Sequence, residues 1–184
     1  MNFKKMIEST FNQSFKNIVP LIITTLVLIG VSVVSFGILA PVMIAGYTKS
    51  ILDMVRIGQE PTPKDLFSQL GLFLPLLLFT LVLVIIITIG FFLLFLPGLI
   101  IILAATFYLI YMIPLMVDKN LGLMAACKES ISLVRQTSFF DHLILVVLYA
   151  VVQSLGGSTL IGTMITIPIS TIFLMIAYDQ VASY

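Results

Sequence analysis

LFSQLGLFLPLLLFTLVLVIIITIGFFLLFLPGLIIILAATFYLIYMIPLMV, residues 66–117, contains no Asp, Glu, Lys or Arg. A membrane-spanning helix needs about 20 mostly apolar residues, so this run is long enough for two. Phe95-Leu96-Pro97-Gly98, near its middle, supplies the expected turn, because Pro and Gly are the natural punctuators of an apolar run. The pattern repeats on either side. Residues 17–48 and 142–178 are also free of charge, and each is broken near its centre by Gly or Pro. The nine basic and eight acidic residues of the chain fall at 4–16, 49–65, 118–141 and Asp179. Three uncharged hairpins dipping into a membrane, with every charge on one side, account for this arrangement.

Composition agrees. A soluble domain carries about a quarter charged residues; here the charged fraction is 9%, the hydrophobic fraction 60% and the mean hydropathy +1.23. So few charges cannot cover a water-exposed surface, and the chain is expected to be an integral membrane protein. A net charge of +1 leaves no nucleic-acid footprint. The single cysteine, Cys127, excludes an intrachain disulfide. No signal cleavage is expected: the hydrophilic lead 1–17 is long and helix-patterned, and no clear small-x-small site follows the apolar run.

The expected fold is an all-α membrane bundle, one domain over 1–184, with about six transmembrane helices in three hairpins. The spans are placed at 18–36, 39–57, 71–95, 98–117, 140–155 and 159–178. The third hairpin turns at Gly156-Gly157-Ser158. The first turns near Phe36-Gly37, with Pro41 just inside the next helix. Residues 17–48 are short for two spans. The second works if it runs past the core, with Lys49 and Arg56 snorkelling to the headgroups. The alternative is that 39–57 is re-entrant or interfacial, leaving five spans or four. All basic residues then share one side with both termini, and that side is expected to be cytoplasmic.

Two segments on that side are amphipathic. Phe3, Ile7, Phe11 and Phe15 recur every four residues, with lysines elsewhere on the wheel, as suits a helix in the headgroup boundary. The functional reading is a surface sensor or docking helix; the plainer one is an anchor for the first span. Over 120–136, Leu121, Met124, Cys127, Ile131 and Val134 form one face of a second interfacial helix. A short helix from about Lys64 is expected to lead into the third span.

Little in the chain promises chemistry. Ionisable residues inside a bilayer mark ion and proton paths, and none falls at a midplane. One histidine and one distant cysteine make no zinc set, so no metal or other cofactor is expected. Asp141 and His142 are adjacent, and adjacent residues rarely face each other; a helix-start role is the plainer reading. No phosphate loop, nucleophile elbow or His-Glu-x-x-His motif occurs. In the last span Ser158, Gly162, Thr166 and Ser170 repeat every four residues, a stripe that lets helices approach closely. Packing within this chain is the plainer reading, and a seam to a second copy or a partner the other. Pro168 is expected to kink that helix. Thr159 and Thr163 flank the stripe and would suit a pocket for a neutral solute.

One stretch carries a resemblance. Residues 97–137 run Leu96-Pro97-Gly98, an apolar helix, Tyr111-Met112-Ile113-Pro114, Asn120-Leu121-Gly122, then Ala125-Ala126-Cys127-Lys128-Glu129-Ser130 and Leu133-Val134-Arg135. This resembles a group of small multi-pass prokaryotic membrane proteins of unknown function, and is similar to the membrane domain attached to some glycerophosphodiester phosphodiesterases. The resemblance implies a multi-pass protein of a prokaryotic cytoplasmic membrane. It carries over no catalytic residue, since the soluble phosphodiesterase barrel has no counterpart in this chain.

Three functions are weighed. The first is a non-enzymatic protein that scaffolds, assembles or regulates something in the cytoplasmic membrane, its partners being the lipid bilayer and another membrane protein or itself. The second is a transport component holding a small neutral or apolar solute, of the size of an energy-coupling-factor substrate subunit. The third is a lipid-acting enzyme or lipid-transfer protein, for which Asp118, Glu129, Asp141 and His142 are the only candidates. A closed, apolar-packed bundle favours the first; a polar cavity open to one side favours the second.

Overall fold

Apolar sequence with so few charges folds into helices, which satisfy their own backbone polar groups without water. The computed structural model describes residues 2–93, 95–156 and 159–182, and these form α-helices and no strand. In chain order they are α1 (Phe3–Lys16), α2 (Ile18–Val34), α3 (Ala40–Ile57), α4 (Phe73–Leu93), α5 (Phe95–Leu109), α6 (Met112–Asp118), α7 (Leu123–Gln136), α8 (Phe139–Gly156) and α9 (Leu160–Ala182). Two short 3-10 turns, Pro63–Phe67 and Leu70–Leu72, lead into α4 where a short helix was expected. The all-α bundle is as the sequence implies.

The centre of the bundle is α3. Val42, Met43, Ala45, Ile51 and Leu52 are all fully buried, and α3 packs against α2, α4, α6 and α9. Its entry is set by Pro41 in the first turn, and its end by Gly58, whose φ of 72° caps the helix in the left-handed region. A turn of backbone lies directly on it: a Cβ at Gly46 would sit 2.2 Å from the Leu66 carbonyl oxygen. Asp65 fastens that turn, accepting from the Thr62 N–H at 2.8 Å and from Ser50 Oγ of α3 at 3.1 Å.

Among the described residues, four segments are long and apolar enough to cross a membrane: Pro63–Leu93, Phe95–Asp118, Phe139–Gly156 and Ile161–Ala182. A fifth is obtained if α1 and α2, bent by 85° at their junction, count as one span. Six were expected, and the shortfall falls on the first hairpin. α2 is only 17 residues long. α3 carries Lys49, Asp53 and Arg56 on partly exposed positions of its second half, too many charges for a helix facing lipid, while many of its other residues are buried in protein.

The outside of the bundle is apolar. Among the described residues of α4 only Leu76 and Gly90 are buried, and of α5 only Gly98. Leu78, Val82, Ile85 and Phe92 stand exposed, a surface for lipid. α4 and α5 pack on each other through glycines: a Cβ at Gly90 would lie 2.9 Å from Gly98 Cα. Phe95 to Gly98, expected as a turn, form the first turn of α5 instead, where Pro97 needs no helical donor.

Candidate functional site

Three features stand out: a break in the Phe95–Asp118 span, an ion-paired end and an uncharged cleft. The break comes from Pro114. It has no N–H to offer the Ile110 carbonyl, and α5 and α6 part at Ile110 and Tyr111. Side chains take over the backbone acceptors beside the break. Ser130 Oγ of α7 donates to the Tyr108 carbonyl at 2.7 Å, and His142 Nε2 of α8 meets the Phe107 carbonyl at 2.8 Å. A carbonyl can only accept, so Nε2 carries the proton. His142 is fully buried, with its ring 4.6 Å from Phe107 and 5.7 Å from Tyr111. Its Nδ1 and the Tyr111 hydroxyl are buried without a hydrogen-bond partner. His142 is thus a positioning group inside the bundle, and the structure brings no nucleophile to it.

At one end of the bundle, charges from three sequence clusters converge. Arg56 of α3 holds Asp118 of α6 through both terminal nitrogens, the Nη2 contact being 3.1 Å, and reaches Asp179 of α9 with Nε at 2.8 Å. Tyr178 donates to Asp118 Oδ2 at 2.8 Å, and its ring lies 6.0 Å from the guanidinium carbon. A forked guanidinium matches a carboxylate in this way, and such pairs are stronger than neutral hydrogen bonds. Arg56 and Lys49, expected to snorkel to headgroups, are each ion-paired, Lys49 with Asp53 at 2.8 Å.

Away from that end a cleft runs between α3, α8 and α9 in two lobes. One lobe, of ≈ 340 Å³, extends toward α2 and is lined by Ser32, Tyr47, Gln153, Thr163 and Thr166. The other, of ≈ 320 Å³, extends toward α4, α5 and α6 and is lined by Phe79, Leu83, Ile110, Met112 and Leu174. Ile44, Thr48, Tyr149 and Thr171 line both. No Asp, Glu, Lys or Arg lines either lobe among the described residues. The Tyr47 hydroxyl, 3.0 Å from Thr25 Oγ1, joins α3 to α2 at the wall.

The residues singled out in the sequence are distributed as follows. Ser158 lies outside the described residues. Gly162 and Thr166 pack against Gly156 of α8: a Cβ at Gly156 would sit 1.9 Å from Thr166 Oγ1, and one at Gly162 would sit 3.0 Å from the Gly156 carbonyl. Ser170 is fully buried and donates to the Ile167 carbonyl. On α1, Ile7, Phe11 and Phe15 are exposed and Phe3 is half-buried, while Met6, Thr10 and Ser14 pack toward α9. The aromatic stripe therefore stays largely exposed, and α1 packs along α9 by its neighbouring face. On α7 the packed face is Ala126, Ser130, Leu133 and Val134. Met124 is exposed, and Leu121 and Ile131 are half-buried. Sequence reasoning missed the cleft residues Thr48, Tyr149 and Thr171; hydroxyls dispersed over three apolar helices leave no local motif.

Comparison with known protein families, curated proteins and solved structures gave no match for this chain.

Proposed function

We propose that this is a non-enzymatic membrane protein that holds a small uncharged solute within the bundle, as the binding component of a transport or carrier process. The observation that carries the reading is the two-lobed cleft, which has hydroxyl and amide groups on its walls and no charge. Pockets of about 300–1,000 Å³ suit small molecules. Convergent polar groups on apolar walls fix a ligand's orientation there. Walls without an Asp, Glu, His, Lys or Arg among the described residues speak against a coupled proton or ion. The charged end is proposed to face the cytoplasm of a prokaryote, because every basic residue lies on that side of the expected topology.

The resemblance of 97–137 fits a shared bundle, not a shared reaction. Pro114 makes the helix break and Ser130 caps it, so the motif has a structural task. The test is the thermal stability of the purified chain against a panel of neutral metabolites, vitamins and lipids. A saturable stabilisation by one class, lost in Thr163→Val, is expected. A flat response across the panel would sink the proposal. The scaffold reading is favoured by one observation, the rigid ion-paired end. Cross-linking from that end should then recover a defined protein partner; recovery of lipid and self-contacts alone counts against it.

A further inference from the structure

We infer that the occupant of the cleft is an uncharged amphiphile with an alcohol head. This rests on the solute-binding reading above and names its ligand class. The first argument is the unlike chemistry of the two lobes. One carries the side chains of Ser32, Tyr47, Gln153 and Thr163; the other is walled by Phe79, Leu83, Met112 and Leu174, with Thr106 as the one polar side chain of its own; Thr48, Tyr149 and Thr171 stand where they join. A molecule that fills both has a polar head and an apolar body.

The second argument is charge. With no ionised group on either wall among the described residues, a carboxylate, phosphate or ammonium head would be desolvated with no counter-charge. Phospholipid heads and fatty acids are therefore rejected, and neutral heads are accepted.

The third argument is the direction of the hydrogen bonds already made. Ser32 Oγ donates to the Leu28 carbonyl at 2.7 Å, Thr171 Oγ1 to Ile167 at 2.8 Å and Thr163 Oγ1 to Gly156 at 2.9 Å. Each hydroxyl proton is committed to a backbone carbonyl, so these side chains offer a guest only lone pairs. Tyr149 is the reverse: its oxygen accepts from Gln153 Nε2 at 3.2 Å, leaving its own proton to give. Thr166 Oγ1 is turned to Gly156 of α8 and offers the guest nothing. A head that both donates and accepts answers these groups. A hydroxyl does so; a ketone, ether or ester only accepts.

The experiment uses the full chain in phosphatidylcholine nanodiscs. The probe is a long-chain 1-monoacylglycerol bearing a diazirine on its chain. Competitors of the same chain length are unlabelled monoacylglycerol, its di-O-methyl ether, the free fatty acid and lysophosphatidic acid. Saturable labelling is expected, with monoacylglycerol competing at least about tenfold better than ether or acid, the value of one or two well-made hydrogen bonds. Tyr149→Phe and Thr171→Val, close in volume, should each weaken competition by about 2- to 10-fold. Ala105→Phe, which fills the apolar lobe, should abolish labelling, with circular dichroism confirming that each variant is folded. Equal competition by the fatty acid or the ether would overturn the alcohol class while leaving a ligand-binding cleft. Absence of saturable labelling by the probe, with a flat thermal panel, would overturn the class and the reading beneath it.

Discussion

Ser130→Ala removes one oxygen atom, and the consequence can be worked through from the break at Ile110 and Tyr111. Ser130 is fully buried, and its hydroxyl donates to the Tyr108 carbonyl at 2.7 Å. Without it, that acceptor faces apolar side chains. An orphaned buried acceptor costs about 1–3 kcal/mol, more than the roughly 0.5–1.5 kcal/mol net value of the bond itself. For a chain of this size 1 kcal/mol shifts the midpoint by about 2–4 °C, so a fall of roughly 3–10 °C is expected. The readout is thermal unfolding in detergent, followed by the reaction of a maleimide dye with Cys127, the single cysteine. Pro114→Ala provides the control. An alanine N–H restores the missing donor to the Ile110 carbonyl and lets the helix close across the break. In that background Ser130→Ala should cost less, with a coupling of about 1 kcal/mol or more between the two sites. If Ser130→Ala lies within about 0.5 kcal/mol of the parent, and the two changes are additive, the hydroxyl does not hold the break.

Gly46→Ala should destabilise strongly, by about 1–3 kcal/mol or more, because its methyl would meet the Leu66 backbone at 2.2 Å; Gly30→Ala, where nothing lies within 4 Å, is the matched control and should be neutral or mildly stabilising. Both are read as unfolding midpoints in graded sodium dodecyl sulfate. Burial pushes the Cys127 thiol above its ordinary range. The neutral form is thereby favoured in the folded state, so alkylation at about pH 7.5 should be slower than for a free thiol of pKa about 8.5. The retardation should fade as pH rises through the folded value and vanish on unfolding; equal rates at every pH would contradict it. Arg56→Gln leaves Asp118 and Asp179 without their shared cation. It should lower stability by more than the 0–1 kcal/mol of an exposed pair, and Asp118→Asn in the same chain should recover part of the loss.

The bundle was legible in the sequence because its determinants are local. Uncharged runs with Gly or Pro at mid-length mark α4 with α5, and α8 with α9. What escaped depends on long-range partners. Asp118 and Asp179 lie 62 and 123 residues from Arg56, and nothing local in the sequence pairs them. The role of α3 escaped for the same reason, since its burial against α2, α4, α6 and α9 is made by tertiary contacts. The break at Ile110 and Tyr111 was foreshadowed by Pro114, but nothing local announces that Ser130 and His142 cap it. Of the cleft, Thr163 and Thr166 were visible as polar residues near a small-residue stripe. Their partners Thr48 and Tyr149 lie on other helices, and only folding brings them together.

The central claim is that an uncharged guest sits inside the bundle, not on its lipid-facing surface. The most direct measurement is peptide mapping of the monoacylglycerol photo-adduct on the full chain in nanodiscs. The account predicts adducts on 44–48, 105–113 and 149–171, displaced by excess unlabelled alcohol, with little on the outward residues Leu78, Val82 and Ile85 of α4. Adducts spread evenly over α4 and the cleft, and not displaced by competitor, would contradict it.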